Sequence, residues 1–172
     1  MKRIGIYGGS FNPVHCGHIG IACRAAAEHS LERVLVVPAK TSPFKIGADA
    51  DGTGFTDAQR WEMVVAACRP HPELEPCDIE LRRGGVSYTI DTVRALKEAI
   101  PDASFFFIVG EDSLAGMPHW RDWPTLKTLA TFVAYPRTSE SSTEIRRRLA
   151  AGEDISGMVP PAVASLIAAW RA

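Results

Sequence analysis

Residues 2–18, KRIGIYGGSFNPVHCGH, are the stretch around which the rest of the chain is arranged. The apolar, partly β-branched run over residues 2–7 predicts a short strand, which Gly8 and Gly9 end. After an Asn-Pro turn, the apolar and alanine-rich segment 17–29 predicts a helix. Strand, glycine turn and helix are the first half of a nucleotide-binding βαβ unit, because glycines let a backbone approach a phosphate and a helix N-terminus favours anions.

Two histidines follow the glycine turn. His15 and His18 are three residues apart, so at the start of a helix both imidazoles lie on one face. The turn contains neither GxGxxG nor GxxxxGKS/T, which excludes the dinucleotide fingerprint and the P-loop. A capping histidine beside a core histidine is the alternative interpretation, and the neighbouring glycines favour a site instead.

Length and composition limit the fold and the class of ligand. With 172 residues and 46% apolar content, the chain is predicted to form a single domain over residues 1–172. The net charge of −1 argues against nucleic acid as a partner. No apolar run approaches the length of a membrane span and the N-terminus lacks a signal-peptide pattern, so we expect a cytoplasmic protein without a membrane partner. A homo-oligomer is compatible with these features, which leave the oligomeric state open.

Four cysteines are scattered along the chain without CxxC spacing. They are Cys16, Cys23, Cys68 and Cys77. The pattern favours free thiols in a reducing compartment over a zinc site or a disulfide framework. The sequence therefore predicts no metal ligands among the side chains.

The string GGSFNPVHCGH, residues 8–18, resembles the HxGH signature of the nucleotidylyltransferase superfamily. Its form is the one found in nicotinate-nucleotide adenylyltransferases, and it follows an N-terminal strand as in that family. The resemblance implies that the two histidines contact the phosphates of ATP. The residues of this string that it places at ATP are Gly8, Gly9, Ser10, Phe11, His15 and His18.

A second motif, SSTEIR over residues 141–146, predicts a helix opened by a capping box. Its three hydroxyls at a helix N-terminus and its arginine suit a triphosphate, which an arginine can grip bidentately. The string matches the family's ISSTxxR motif except that Glu140 replaces the isoleucine. The ATP-binding residues expected here are Ser141, Ser142, Thr143 and Arg146. The five-residue connection 136–140 is shorter than in the family, which places a further strand there, so the adenine pocket and the sheet edge stay unassigned.

The run SFFFIV over residues 104–109 predicts a central parallel strand buried on both faces. Ligands in open parallel sheets bind beyond the carboxyl ends of the strands, which makes the residues that follow site candidates. An aspartate there can accept hydrogen bonds from ribose hydroxyls. Gly110 and Asp112 match the family's GxD element and are expected to bind ATP.

Residues 87–92, SYTIDT, predict the start of a helix with Thr89 or Asp91 as its N-cap. In the family this stretch lies over the nicotinate end of the substrate, where backbone N–H groups can hold a carboxylate. The family also stacks an aromatic ring, here matched by Trp120, on the pyridine ring. The acceptor-binding residues expected from the resemblance are Ser87, Tyr88, Thr89 and Trp120.

The Gly- and Asp-rich loop 39–54 is either a surface connection or a lid that carries Lys45 toward a phosphate. The family has Pro-Pro-His-Lys or Pro-Pro-His-Arg in this loop. Residues 42–45 are Ser-Pro-Phe-Lys, so the basic residue remains and the histidine does not. The catalytic set that the resemblance implies is His15, His18, Lys45 and Arg146.

The remaining patterns complete the predicted fold. Thr56 opens a Thr-x-x-Gln capping box before a helix, and a last helix ends the chain. Strands are predicted over residues 2–7, 33–37, 73–80, 104–109 and 131–135. The expected class is α/β, a Rossmann-like nucleotidylyltransferase fold with an open parallel sheet of about five strands, helices on both faces, and the first and fourth of these strands as the central pair.

The resemblance implies that the chain joins ATP and nicotinate mononucleotide to give nicotinate adenine dinucleotide and pyrophosphate. The acceptor's own phosphate attacks the α-phosphate, so the protein positions groups and stabilises charge. Mg²⁺ is expected to arrive with ATP, since the sequence shows no aspartate cluster that would hold it alone. The alternatives are a pantetheine-phosphate adenylyltransferase, which shares both end motifs, and a non-catalytic nucleotide-binding paralogue.

Overall fold

The computed structural model describes residues 1–44 and 54–172. Within these residues, five strands form one fully parallel sheet in the order β3-β2-β1-β4-β5. The strands are β1 Lys2–Gly9, β2 Arg33–Pro38, β3 Leu74–Pro76, β4 Ala103–Gly110 and β5 Ala130–Tyr135. The helices are α1 Cys16–Glu28, α2 Asp57–Cys68, α3 Ile79–Arg83, α4 Thr89–Ala99, α5 Trp123–Leu129, α6 Ser142–Ala150 and α7 Pro161–Arg171. The Rossmann-like prediction is confirmed, with β1 in the middle of the sheet and β4 beside it.

Alternating strand residues build a hydrophobic core on each face of the sheet. On one face, Ile4 and Ile6 of β1 pack with Phe105 of β4 beneath α4 and α5. On the other face, Tyr7 and Phe106 pack beneath α1, α2, α6 and α7. Helices thus cover both faces, which is why residues 105–109 of β4 are apolar without interruption. None of the described helices is long and apolar enough to cross a membrane.

The strand predicted over residues 73–80 is wrong beyond its first half. Strand β3 ends at Pro76, which pairs with Val36, and the Cys77 N–H donates the last bond to β2 at the Val36 carbonyl, at 2.9 Å. The chain then forms the helical turn α3, in which Asp78 bonds Arg82 at 2.7 Å, four residues on. As a result Glu80 lies buried in a helix, at 7% exposure, and not at the end of a strand.

Helix starts were predicted with mixed success. The capping box of Thr56 and Gln59 at α2 is confirmed. The prediction that Thr89 or Asp91 caps α4 is wrong, because the N-cap is Tyr88, whose side chain makes no capping bond. Ser141 caps α6 through the Glu144 N–H at 3.0 Å, but the Glu144 carboxylate bonds two arginines of α6 and does not complete the box.

The parallel strands place all their carboxyl ends on one edge of the sheet. Helix α1 follows β1 and α6 follows β5, so both begin at this edge. Helix α4 leads into the amino end of β4, so it also begins at the carboxyl edge. Three helix N-termini therefore converge where ligands bind in this class of sheet.

Candidate active site

Two neighbouring cavities lie at the carboxyl edge of the sheet. The first, which we call the histidine cavity, has a volume of about 270 Å³ and contains His15 and His18. The second, the tryptophan cavity, consists of two adjoining spaces of about 190 and 120 Å³ beside Trp120. Tyr7 and Gly110 line both cavities. Ligands held in the two cavities would therefore meet over the ends of β1 and β4.

The two histidines of the histidine cavity fix each other through the start of α1. His15 is the N-cap and accepts a hydrogen bond from the His18 N–H at 3.3 Å, while His18 accepts one from the His15 N–H at 3.1 Å. The rings stack with centroids 3.6 Å apart. Because Nδ1 is the acceptor in both bonds, each neutral ring carries its proton on Nε2, a donor suited to a phosphate oxygen.

His15 is only 6% exposed, and burial decides its charge. Desolvation lowers its pKa from 6.5 to about 4, against a smaller opposing effect of the Glu140 carboxylate. His15 is therefore neutral at physiological pH and offers a hydrogen bond without a full positive charge.

The start of α6 forms the opposite wall of the histidine cavity. Ser141, Ser142 and Thr143 line it together with Gly110 and Asp112. Ser142 donates its hydroxyl to the Pro13 carbonyl at 2.9 Å, so the second motif is held against the first. The structure thus brings together these five predicted ATP-binding residues and the two histidines. The roles of the individual residues remain predictions.

The tryptophan cavity contains all four predicted acceptor residues. Ser87, Tyr88, Thr89 and Trp120 line it, and Phe44 lies 6.0 Å from Trp120 between ring centroids. Trp120 packs edge-on against two core phenylalanines, which fixes its plane. The side chain of the N-cap residue, Tyr88, makes no capping hydrogen bond. The first N–H groups of α4 therefore suit an anion.

Comparison with known sequences agrees with this geometry. The sequence profile of the family described as "Cytidylyltransferase-like" matches residues 6–158. A protein of Shouchella clausii named "Probable nicotinate-nucleotide adenylyltransferase" is 42% identical, covering 97% of this chain and 94% of its own length. A protein of the same name from Exiguobacterium sibiricum is 36% identical and covers 98% and 97%.

The chain belongs to the nicotinate-nucleotide adenylyltransferase family. Two solved structures support the fold of this family member. A Vibrio parahaemolyticus structure that bears the family name has a TM-score of 0.81 at 23% identity, covering 98% of this chain and 93% of its own. The Plasmodium falciparum nicotinic acid mononucleotide adenylyltransferase complexed with NaAD has a TM-score of 0.76 at 18% identity, with 99% and 97% covered.

Several residues of the family signature support the site without lining the histidine cavity. Gly8 and Gly9 line the tryptophan cavity. The Ser10 carbonyl accepts a hydrogen bond from Arg60 at 2.6 Å. The Phe11 side chain is buried and meets the His18 ring edge-on at 4.9 Å between centroids, so it holds that ring in place.

Arg146 and Lys45 complete the predicted catalytic set. Arg146 donates Nη1 to the Asn12 carbonyl at 2.7 Å, which ties α6 to the turn after β1. Because a guanidinium has five N–H donors, the predicted contact of Arg146 with the triphosphate does not require this bond to break. Lys45 and residues 45–53 of the loop predicted as a lid lie outside the described residues.

The short connection 136–140 supplies site residues that the sequence did not identify. Arg137 bonds the Asp112 carboxylate at 3.0 Å, and Thr138 and Glu140 line the histidine cavity. A Cβ on Gly17 would collide with the Thr138 hydroxyl, so this connection favours a glycine at that position of this chain. Arg137 is the only basic residue in the connection, a signal that was available in the sequence.

Two buried charged residues position the cavity walls and were also missed. Glu80 accepts a hydrogen bond from Thr92 of α4 at 2.7 Å, and burial raises the pKa of its carboxyl. Arg60, 5% exposed, donates to the carbonyls of Ser10 and Ala39, which follow β1 and β2. Arg60 thus holds loop backbone at the carboxyl edge, and Glu80 holds the first turn of α4.

Proposed function

We propose that this chain transfers the adenylyl group of ATP to nicotinate mononucleotide, giving nicotinate adenine dinucleotide and pyrophosphate. The observation that carries the proposal is the pair of cavities that meet at Tyr7 and Gly110. One offers histidines and hydroxyls suited to phosphates. The other offers a tryptophan and a helix N-terminus suited to an aromatic carboxylate.

In this reaction a phosphate oxygen of the acceptor attacks the α-phosphorus of ATP. A new P–O bond forms there as the bond to the β-phosphate bridging oxygen breaks, and pyrophosphate leaves with the electron pair. The acceptor phosphate is already ionised at neutral pH, so no protein base is needed. The Nε2–H groups of His15 and His18 would stabilise the charge that develops on the α-phosphate.

The histidine cavity fits Mg²⁺ that arrives with ATP. Its oxygen donors include the carboxylates of Asp112 and Glu140 and the hydroxyl of Thr143, which are ligand types that Mg²⁺ prefers. Among the described residues, the cavity contains no three His, Cys, Asp or Glu side chains whose ligand atoms all lie within 4.8 Å of one another. ATP oxygens would therefore supply most of the ligands, and the ion would neutralise phosphate charge.

The remaining contacts follow from the same geometry. Arg146 and Lys45 would hold the leaving pyrophosphate. Trp120 would stack on the pyridine ring, and the N–H groups at the start of α4 would bind its carboxylate. The four cysteines are free thiols, which suits a reducing compartment, and we propose a cytoplasmic location on that ground.

A pyrophosphate-release assay with a panel of acceptors tests the proposal. The panel is nicotinate mononucleotide, nicotinamide mononucleotide and 4′-phosphopantetheine, each with ATP and Mg²⁺. We expect the highest kcat/KM with nicotinate mononucleotide. A higher value with 4′-phosphopantetheine would move the chain to the rival activity, and ATP binding without turnover of any acceptor would make it a non-catalytic paralogue.

A further inference from the structure

A group of potential metal ligands lies apart from both cavities. Cys23 of α1, His71 of the turn after α2 and Glu73 before β3 place one ligand atom each within 4.8 Å of the other two. Cys23 Sγ and His71 Nδ1 are 3.6 Å apart. In the part of the chain that the structure describes, this is the only group of three such residues.

The position of this group separates it from the adenylyl-transfer site. His71 and Glu73 precede β3, so they lie at the amino edge of the parallel sheet. Helix α1 starts at the carboxyl edge with the catalytic histidines, and Cys23 lies in its second half. A ligand here would not reach substrates held over the carboxyl ends.

The distances suit a tetrahedral transition metal. With Zn–S near 2.3 Å and Zn–N near 2.0–2.1 Å, tetrahedral geometry separates the sulfur and nitrogen by about 3.6 Å. The Cys23 and His71 atoms already have that separation. Thiolate and imidazole favour Zn²⁺, whereas Mg²⁺ and Ca²⁺ require oxygen ligands.

We propose that Cys23, His71 and Glu73 bind one Zn²⁺, with water as the fourth ligand. The Cys23 thiol, which donates to Glu73 in the absence of metal, would release its proton to solvent on binding. The bound ion would tie α1 to the segment that enters β3, two parts of the chain 48 residues apart at Cys23 and His71. Such a clamp stabilises the fold and takes no part in the chemistry.

Metal titration of the purified, metal-stripped full chain tests the site. Calorimetry with Zn²⁺ should give one equivalent bound, and Co²⁺ should give the near-ultraviolet charge-transfer absorption of a cobalt–thiolate bond. Cys23→Ser and His71→Ala should each abolish both signals. Glu73→Gln, which keeps the shape of the side chain, should weaken binding by roughly tenfold or more.

Two matched controls separate this site from other cysteines. Cys77→Ser, at a cysteine outside the group, should bind Zn²⁺ like the wild type. Cys16→Ser should do so too, which excludes a site formed by Cys16 with the catalytic histidines. Failure of the wild type to bind one equivalent would overturn the proposal, as would an unchanged cobalt–thiolate absorption in Cys23→Ser.

Thermal unfolding gives an independent readout. Zn²⁺ in hundredfold excess over its Kd should raise the Tm of the wild type by about 5–10 °C. Cys23→Ser should show no such rise, and its Tm without metal reports whether the variant still folds. An equal rise in wild type and variant would contradict a zinc clamp at Cys23.

Discussion

The histidine cavity and the tryptophan cavity are lined by different kinds of residue. The first is polar, with histidines from the start of α1 and hydroxyls from the start of α6. The second is lined by the ends of β1 and β4 and the start of α4, and is largely aromatic around Trp120 and Phe44. Under the proposed function, the first cavity would stabilise the transition state and the second would recognise the acceptor. Substitutions in the two cavities should therefore change different kinetic constants.

The largest effect is expected in the histidine cavity. His18→Ala should lower kcat by about 10²–10³, because its contact strengthens in the transition state. The Kd for ATP should change far less, since ground-state binding uses many other contacts. Steady-state kinetics and ATP titration measure the two constants. His29→Ala, at a histidine outside both cavities, is the matched control and should keep a normal kcat. A near-normal kcat in His18→Ala would contradict a transition-state role for the histidine cavity.

The next effect concerns the acceptor's carboxylate. A carboxamide would point its NH₂ at an N–H of the α4 start, leaving a donor unpaired at about 1–3 kcal/mol. We expect kcat/KM for nicotinate mononucleotide to exceed that for nicotinamide mononucleotide by about tenfold to a hundredfold. Equal values for the two acceptors would remove the carboxylate site from the tryptophan cavity.

A smaller effect is expected at the ring of Trp120. Trp120→Ala should raise the KM of both mononucleotides by about two- to tenfold, the range of one aromatic contact, and leave kcat nearly unchanged. Trp120→Phe should restore most of the affinity, because it retains an aromatic face. A fall in kcat without a change in KM would mean that Trp120 stabilises the transition state and does not contribute to acceptor binding.

The smallest effect is a pH dependence of stability. The pKa of His15 is about 4 in the folded protein and 6.5 in the unfolded reference, so the unfolded state takes up a proton first as pH falls. This group leaves the free energy of unfolding unchanged above about pH 6.5 and lowers it between about pH 6.5 and 4. Urea unfolding measures the free energy of unfolding at each pH. Between pH 6.5 and 4 this free energy should fall less steeply for His15→Asn than for the wild type, and equal slopes for the two proteins would contradict a buried neutral histidine.

Most of the fold could be predicted from the sequence, because local patterns determine it. The apolar runs of β1 and β4 are typical of strands in a parallel sheet that helices cover on both faces. The error at residues 73–80 arose because β3 ends at Pro76 and the residues after it form a helical turn. The cap of α4 was misjudged because a Thr or Asp near a helix start can equally occupy its first turn.

The site was predictable where one motif contains several of its residues. In the HxGH string, two hydrogen bonds between residues three apart hold the histidines together, each from a backbone N–H to the other imidazole. The contacts of Arg137 and Glu140 were not predictable, because they depend on where β5 ends and α6 begins, although the sequence marks Arg137 as the only basic residue of its connection. The Cys23 group was missed for a related reason: its ligands come from two segments far apart in the sequence, α1 and the connection from α2 to β3, so no spacing rule applies.

A crystal structure with nicotinate adenine dinucleotide bound tests the two-cavity account most directly. The account predicts the nicotinate ring stacked on Trp120, with its carboxylate at the N–H groups that begin α4. It also predicts the two phosphates between the cavities, within hydrogen-bond distance of Nε2 of His15 and His18. A nicotinate ring outside the tryptophan cavity, or phosphates remote from both histidines, would contradict it.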